Sequence, residues 1–187
     1  MELSEIDKIV RQSLSEKRYY HSVCVMKKCE ELAKKYGIDT QIAKKIGLAH
    51  DIAKEMPDSE KIKYARENHI EINMVEKKHV GLLHAKIGAD IARKKLGFSD
   101  EMCKAISLHT TAGTNMSMLD KILYVADSTG EDRTWNDIDY VNILIEENID
   151  KAVIYLINIE IKDKVKNQKM IHVDSILARN ELISKIM

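Results

Sequence analysis

Apolar residues recur at three- and four-residue intervals along nearly the whole chain, the spacing of helices that bury one face. Over residues 19–36 the buried-face candidates are Tyr19, Val23, Met26, Leu32, Ala33 and Tyr36, and Gly37 stops the run. Asp39 or Thr40 can cap the next helix, which carries Ile42, Ala43, Ile46, Leu48 and Ala49 and runs on until Pro57 breaks it. Asp58 or Ser59 caps a short helix over 60–68. Residues 80–96 read as one apolar-rich helix closed by Gly97, and Ser99 or Asp100 caps the stretch from Glu101 to His109. A turn over Thr110–Gly113 leads to a helix from about Ser117 to Ala126. The polar stretch 128–136 reads as a loop. Helices over about 137–147 and 150–168, and a tail that is helical from His172, complete the pattern. It predicts an all-α chain folded as one helical bundle over 1–187, with the helices of 137–187 packed on the rest.

Composition agrees and removes some functions. Hydrophobic residues make up 44% and charged residues 32% of 187, so the chain can build a core without disulfides. A single proline and seven glycines disfavour an all-β fold. Thirty basic and thirty acidic residues cancel, which argues against a nucleic-acid partner. A mild basic excess over 1–109 permits an anionic ligand there. No apolar run approaches the ~20 residues of a membrane helix, and the first ten residues show no leader pattern; the expected location is the cytoplasm. Cys24, Cys29 and Cys103 form no paired motif and read as buried thiols of a reducing compartment.

The chemistry is announced by polar residues placed where the pattern calls for apolar ones. His50 and Asp51 interrupt an otherwise apolar stretch, IGLAHDIAKEM. His84 sits in GLLHAKIGAD, His109 ends AISLH, Asp127 ends KILYVAD, and His21 lies in RYYHSV. Burying an imidazole or carboxylate without a partner costs several kcal/mol. Singly, each could be a hydrogen-bonded core residue; together, on five predicted helices, they suit a metal ion. Adjacent helical residues point ~100° apart, so His50 and Asp51 can share one ion only from a helix end or widened turn, or straddle two ions with Asp51 between them. His69 and His79 lie in charged surroundings and read as surface residues.

The set His21, His50–Asp51, His84, His109 and Asp127 resembles the H…HD…H…H…D pattern of HD-domain metal-dependent phosphohydrolases. The words RYYHS, GLAHDIAKE, LLHAKIGAD, SLHTTAG and MSMLDKILYVAD, with Arg133 trailing, are similar to the YqeK branch, whose members cleave diadenosine tetraphosphate symmetrically into two ADP. The resemblance covers about residues 18–133, and MIHVDSILARN is similar to that family's C-terminal segment near the nucleotide. It implies an iron-type, dinuclear centre, with manganese, cobalt or zinc as other occupants, held by His21, His50, Asp51 and Asp127. His84 and His109 match positions that complete a second metal site or contact phosphate. Lys54 matches the basic residue of an HDxxK word, and Arg18, Thr110 and Arg133 match positions near the nucleotide. Asp51 and Lys54 are the expected catalytic residues, with Asp51 touching both ions.

Two departures stand out. Relatives carry an acidic residue and then proline between the positions of Asp127 and Arg133; here the stretch reads Ser128–Thr129–Gly130–Glu131–Asp132 and the acid is displaced by one. Val173 replaces another frequent proline. Trp135 reads as a loop anchor or a base-stacking residue, and the role of His172 carries over only loosely. The expected partner is a dinucleoside polyphosphate or nucleoside diphosphate, with a homodimer left open. Two other functions compete: an HD nucleotidase or phosphodiesterase acting on another nucleotide, and a nucleotide-binding regulatory module.

Overall fold

The computed structural model describes residues 1–187, and its regular elements are all helical. In chain order they are α1 (Leu3–Ser13), α2 (Glu16–Tyr36), α3 (Thr40–Ala49), α4 (Asp58–Glu67), α5 (Met74–Lys78), α6 (Leu83–Ile91), α7 (Asp100–Leu108), α8 (Met118–Thr129), α9 (Ile138–Glu147), α10 (Ile149–Lys166) and α11 (Val173–Ile186). The all-α expectation holds. No helix is long and apolar enough to cross a membrane, and all three cysteines are buried and free.

Local chemistry accounts for the helix ends. Ser15 accepts from the Arg18 amide to start α2, and Gly37, at φ 67°, closes it in the left-handed conformation that glycine adopts without strain. Asp39 caps α3, Ser99 caps α7, and Ser117 with Asp120 forms a reciprocal capping box at α8.

Side chains from most of the chain meet in one hydrophobic core. Ile46 and Leu48 of α3, Leu83 and Ile87 of α6, Ile106 of α7 and Leu119, Ile122 and Leu123 of α8 are fully buried in it, each worth roughly 1.5–3 kcal/mol of transfer free energy. Helix α2 approaches α3 closely at Gly47, where a Cβ would stand 2.8 Å from Met26 Cα. Helices α9 to α11 extend the same core through Val141, Ile145, Val153, Ile157, Ala178 and Leu182.

Five features depart from the sequence pattern. Helix α1, which buries Ile6 and Val10 one turn apart, and the five-residue α5 were not expected. Helix α3 stops at Ala49 rather than running to Pro57; successive turns, with bonds from Ile52 to Ala49, Lys54 to Asp51 and Met56 to Ala53, carry the chain onward. The stretch 80–96 is three pieces: a 3-10 turn at Val80–Leu82, α6, and a π-helical turn at Ala92–Leu96. Helix α8 extends to Thr129, into the expected loop.

Candidate metal centre

The early end of α3 bears directly on chemistry. His50 is the residue after its last turn and Asp51 follows in a tight turn, so both can face one point as two mid-helix neighbours could not. His109 occupies the same position after α7, His84 lies in the first turn of α6, His21 in α2, and Asp127 near the end of α8. All six residues singled out from the sequence come together at one place in the bundle. His21, His50, Asp51, His84 and His109 are at most 4% exposed, and Asp127 is half-buried.

The four imidazoles share one orientation, with Nε2 toward the cluster and Nδ1 turned away to an acceptor. His50 Nδ1 donates to the Gly47 carbonyl at 2.7 Å, His84 to Gly81 at 2.5 Å and His109 to Ile106 at 2.7 Å. Gly47 lies in the last turn of α3, where carbonyls lack helical partners, and the Ile106 carbonyl near the end of α7 accepts from the His109 amide as well as the ring. A ring whose Nδ1 carries the proton offers a lone pair at Nε2. Burial reinforces this for His50, whose pKa is pushed down to about 4, and lowers that of His84.

Asp51 faces two sides. Its Oδ2 lies 3.6 Å from His50 Nε2 and 4.0 Å from His21 Nε2; its Oδ1 lies 3.1 Å from His84 Nε2 and 3.5 Å from His109 Nε2. Asp127 Oδ1 stands 3.0 Å from His21 Nε2 and 3.9 Å from His50 Nε2. Burial disfavours charge on both carboxylates, but protons shared with the surrounding imidazoles in the absence of metal outweigh it and hold both well below the usual carboxylate range.

Three cations complete the shell. Arg18 Nη1 pairs with Asp51 Oδ2 at 3.0 Å, Arg133 Nη2 with Asp127 Oδ1 at 2.6 Å, and Lys54 Nζ lies 3.8 Å from Asp51 Oδ1 and 3.2 Å from His84 Nε2. Thr110 Oγ1 is 3.2 Å from His109 Nε2 and 3.4 Å from His84 Nε2.

This donor set fits a divalent metal. His50 Nε2 and Asp51 Oδ1 are buried with no hydrogen-bonding partner, although both point into the cluster. Unpaired groups of that kind are costly unless something else satisfies them. Donor atoms of His21, His50 and Asp127, and of His50, Asp51 and His109, lie within 4.8 Å of one another. Imidazole with carboxylate is a donor mixture suited to iron, manganese, cobalt or zinc.

A family model described as HD domain matches residues 18–132. The chain belongs to the HD-domain family. It is 31% identical over 176 residues to a symmetrical bis(5'-nucleosyl)-tetraphosphatase of Bacillus subtilis, covering 94% of both chains. It is 32% identical over 178 residues to a protein of the same description from Halalkalibacterium halodurans, again covering 94% of both. A crystal structure from Clostridium acetobutylicum, described as a predicted HD superfamily hydrolase involved in NAD metabolism, superposes with a TM-score of 0.95 at 33% identity. That match covers 99% of this chain and 98% of the other. Membership of the HD-domain family implies a divalent metal, in accord with the donor set.

Two cavities of this HD-domain protein flank the cluster. One, of about 330 Å³, is lined by Tyr124, Asp127, Arg133 and Trp135; the other, of about 560 Å³, by His79, Leu82, His84, Met170 and His172. Lys54, Thr110 and Glu160 line both. His69 and His79 are exposed as expected. Trp135 serves as a loop anchor, its Nε1 donating to the Ser128 carbonyl at 2.8 Å, while also walling the smaller cavity. His172 caps α11, accepting from the Asp174 amide, and meets Asn73 at 2.8 Å and the buried Glu76 at 3.6 Å.

Sequence reasoning missed Glu160, whose half-buried carboxyl is raised in pKa by burial. It reads as one more charged residue on a long amphipathic helix. Glu131 is exposed and pairs with Lys27 at 3.3 Å, whereas Asp132 reaches His21.

Proposed function

We propose that this HD-domain protein is a metal-dependent hydrolase that cleaves diadenosine tetraphosphate symmetrically into two ADP. The observation that carries the reading is Asp51, with one carboxylate oxygen toward His21 and His50 and the other toward His84 and His109. The description of the Bacillus subtilis and Halalkalibacterium halodurans relatives supports the substrate and the symmetry of cleavage. His21, His50, Asp51 and Asp127 would hold one ion, with His84 and His109 beside the second oxygen of Asp51 to complete a dinuclear site; iron is the proposed occupant. A metal bound there would supply an activated water and offset charge on the phosphate under attack.

The protein's own groups do the rest. Lys54, on the border of both cavities, is placed to meet the central phosphates as a compact charge. Arg18, engaged only through Nη1, can offer a two-pronged donor to phosphate oxygens, and Arg133, whose Nε and Nη2 hold Asp127, can offer Nη1. Their charges are in position before the reaction, so stabilising the growing charge on phosphate needs no rearrangement. Thr110 donates a hydroxyl beside His109. The two adjoining cavities suit the two nucleoside ends of one substrate.

The test is product identification. Metal-loaded protein is incubated with diadenosine tetraphosphate, and with nucleoside monophosphates in parallel. ADP as the sole nucleotide product is expected; AMP with ATP, or phosphate from the monophosphates alone, would overturn the assignment.

A further inference from the structure

His50, His84 and His109 each find an acceptor for Nδ1 on the backbone three residues before them. His21 is in a different position. It lies within α2, where the carbonyls of the preceding turn are committed to the helix. Its Nδ1 therefore needs a partner from another part of the chain, and that partner is Asp132, whose Oδ2 lies 2.8 Å away.

The loop after α8 is shaped to deliver this carboxylate. A turn over Gly130–Arg133 closes through the Arg133 amide and the Gly130 carbonyl at 2.9 Å. Arg133 Nε donates to the Asp127 carbonyl at 2.7 Å, and Trp135 ties back to Ser128. Gly130 leaves the necessary room, since a Cβ there would stand 3.0 Å from Asp132 Oδ1 and 3.5 Å from Cys24 Cβ. The Asp132 side chain is 18% exposed and the His21 ring 5%, so the pair is shielded from most solvent competition. Adjacent residues thus grip adjacent members of the cluster: Asp132 holds His21 and Arg133 holds Asp127.

We infer that Asp132 is a positioning residue for the metal centre, accepting the Nδ1 proton of His21 so that the Nε2 lone pair faces Asp51 and Asp127. The inference rests on reading that cluster as a metal site. The other tautomer of His21 would aim an N–H at the centre and could not ligate. A carboxylate behind a ligating imidazole also fixes the direction of the ring, and losing such a partner costs about 10–100-fold in metal affinity.

The experiment compares the full-length protein with Asp132→Ala, Asp132→Asn and Glu131→Ala, the last removing the neighbouring exposed carboxylate. Each is stripped of metal and titrated with Mn²⁺ or Zn²⁺ in competition with a coloured chelator. Melting of the metal-free forms separates a binding defect from a folding defect. Asp132→Ala is expected to lose about 10–100-fold in affinity. Asp132→Asn, which keeps an acceptor without the charge, should lose less, and Glu131→Ala nothing. Parent-like affinity in Asp132→Ala, or an equal loss in Glu131→Ala, overturns the inference. Should the alanine variant fail to fold, parent-like affinity in Asp132→Asn overturns it. Parent protein that binds neither metal overturns the metal reading and this inference with it. Tight metal binding without cleavage of diadenosine tetraphosphate overturns only the proposed substrate.

Discussion

Asp51 carries the largest burden of any single residue. It is 1% exposed, and its carboxylate is held in the charged form by imidazoles on both sides. Asp51→Asn keeps the shape and removes the charge. Metal content measured after desalting should fall to background, and turnover should drop by more than about 100-fold, the upper range for losing a mere partner of a ligand. Full metal and full turnover in that variant would sink the assignment. Lys54 makes a different kind of contribution. Lys54→Ala should leave metal content near that of the parent while kcat falls about 10²–10³-fold, the scale for one preplaced donor to a charged transition state; a change confined to KM would argue against it. Residues of the first kind were legible because a buried polar residue contradicts its apolar surroundings, as His50 and Asp51 do in IGLAHDIAKEM. Asp132 was not legible. In a polar loop one carboxylate looks like another, and only the closed turn at Gly130–Arg133 distinguishes it from Glu131.

At the level of elements, what matters is where helices stop and how closely they approach. Most helices were readable from periodicity and caps, whereas α1 and α5 were not. Helix α1 has only Ile6 and Val10 fully buried, and α5 is too short to show a period. The stop at Ala49 was hidden because the apolar pattern runs straight through it. Gly47 links element to site, since it admits α2 at close range and lends its carbonyl to His50. Gly47→Ala must push α2 from α3, at a cost of about 1–3 kcal/mol, read as a lower melting temperature together with weaker metal binding. An unchanged melting temperature would contradict the packing. A second junction joins α5 to α11 through Glu76, which His172 and Lys86 approach at 3.6 and 2.7 Å. Burial opposes the Glu76 charge, yet His172 and Lys86 lower its pKa to about 2. A carboxylate with a depressed folded pKa stabilises the fold above its unfolded value and loses that effect as pH falls through the folded one. The stability advantage of the parent over Glu76→Gln should therefore be full at neutral pH and fade between about pH 4.5 and 2. Chemical denaturation at several pH values measures it, and a pH-independent difference would refute it.

For the molecule as a whole, the metal should act as a part of the fold, because its proposed ligands come from α2, α6, α8 and the ends of α3 and α7. Saturation at 100 times Kd stabilises by about 2.7 kcal/mol, a rise in melting temperature on the order of 5–10 °C for a chain of this size. A chelator should reverse it, and coincident melting curves with and without metal would refute it. The order of the same parts along the chain has a consequence for synthesis. The proposed metal ligands end at Asp127, and the loop that steadies His21 follows within five residues. The wall of the larger cavity is built much later, from Met170, His172 and Ser175. On the ribosome, then, the groups proposed to gather metal emerge well before those that would enclose a nucleotide. Every proposed ligand is thus translated before the last helix, which closes the larger cavity.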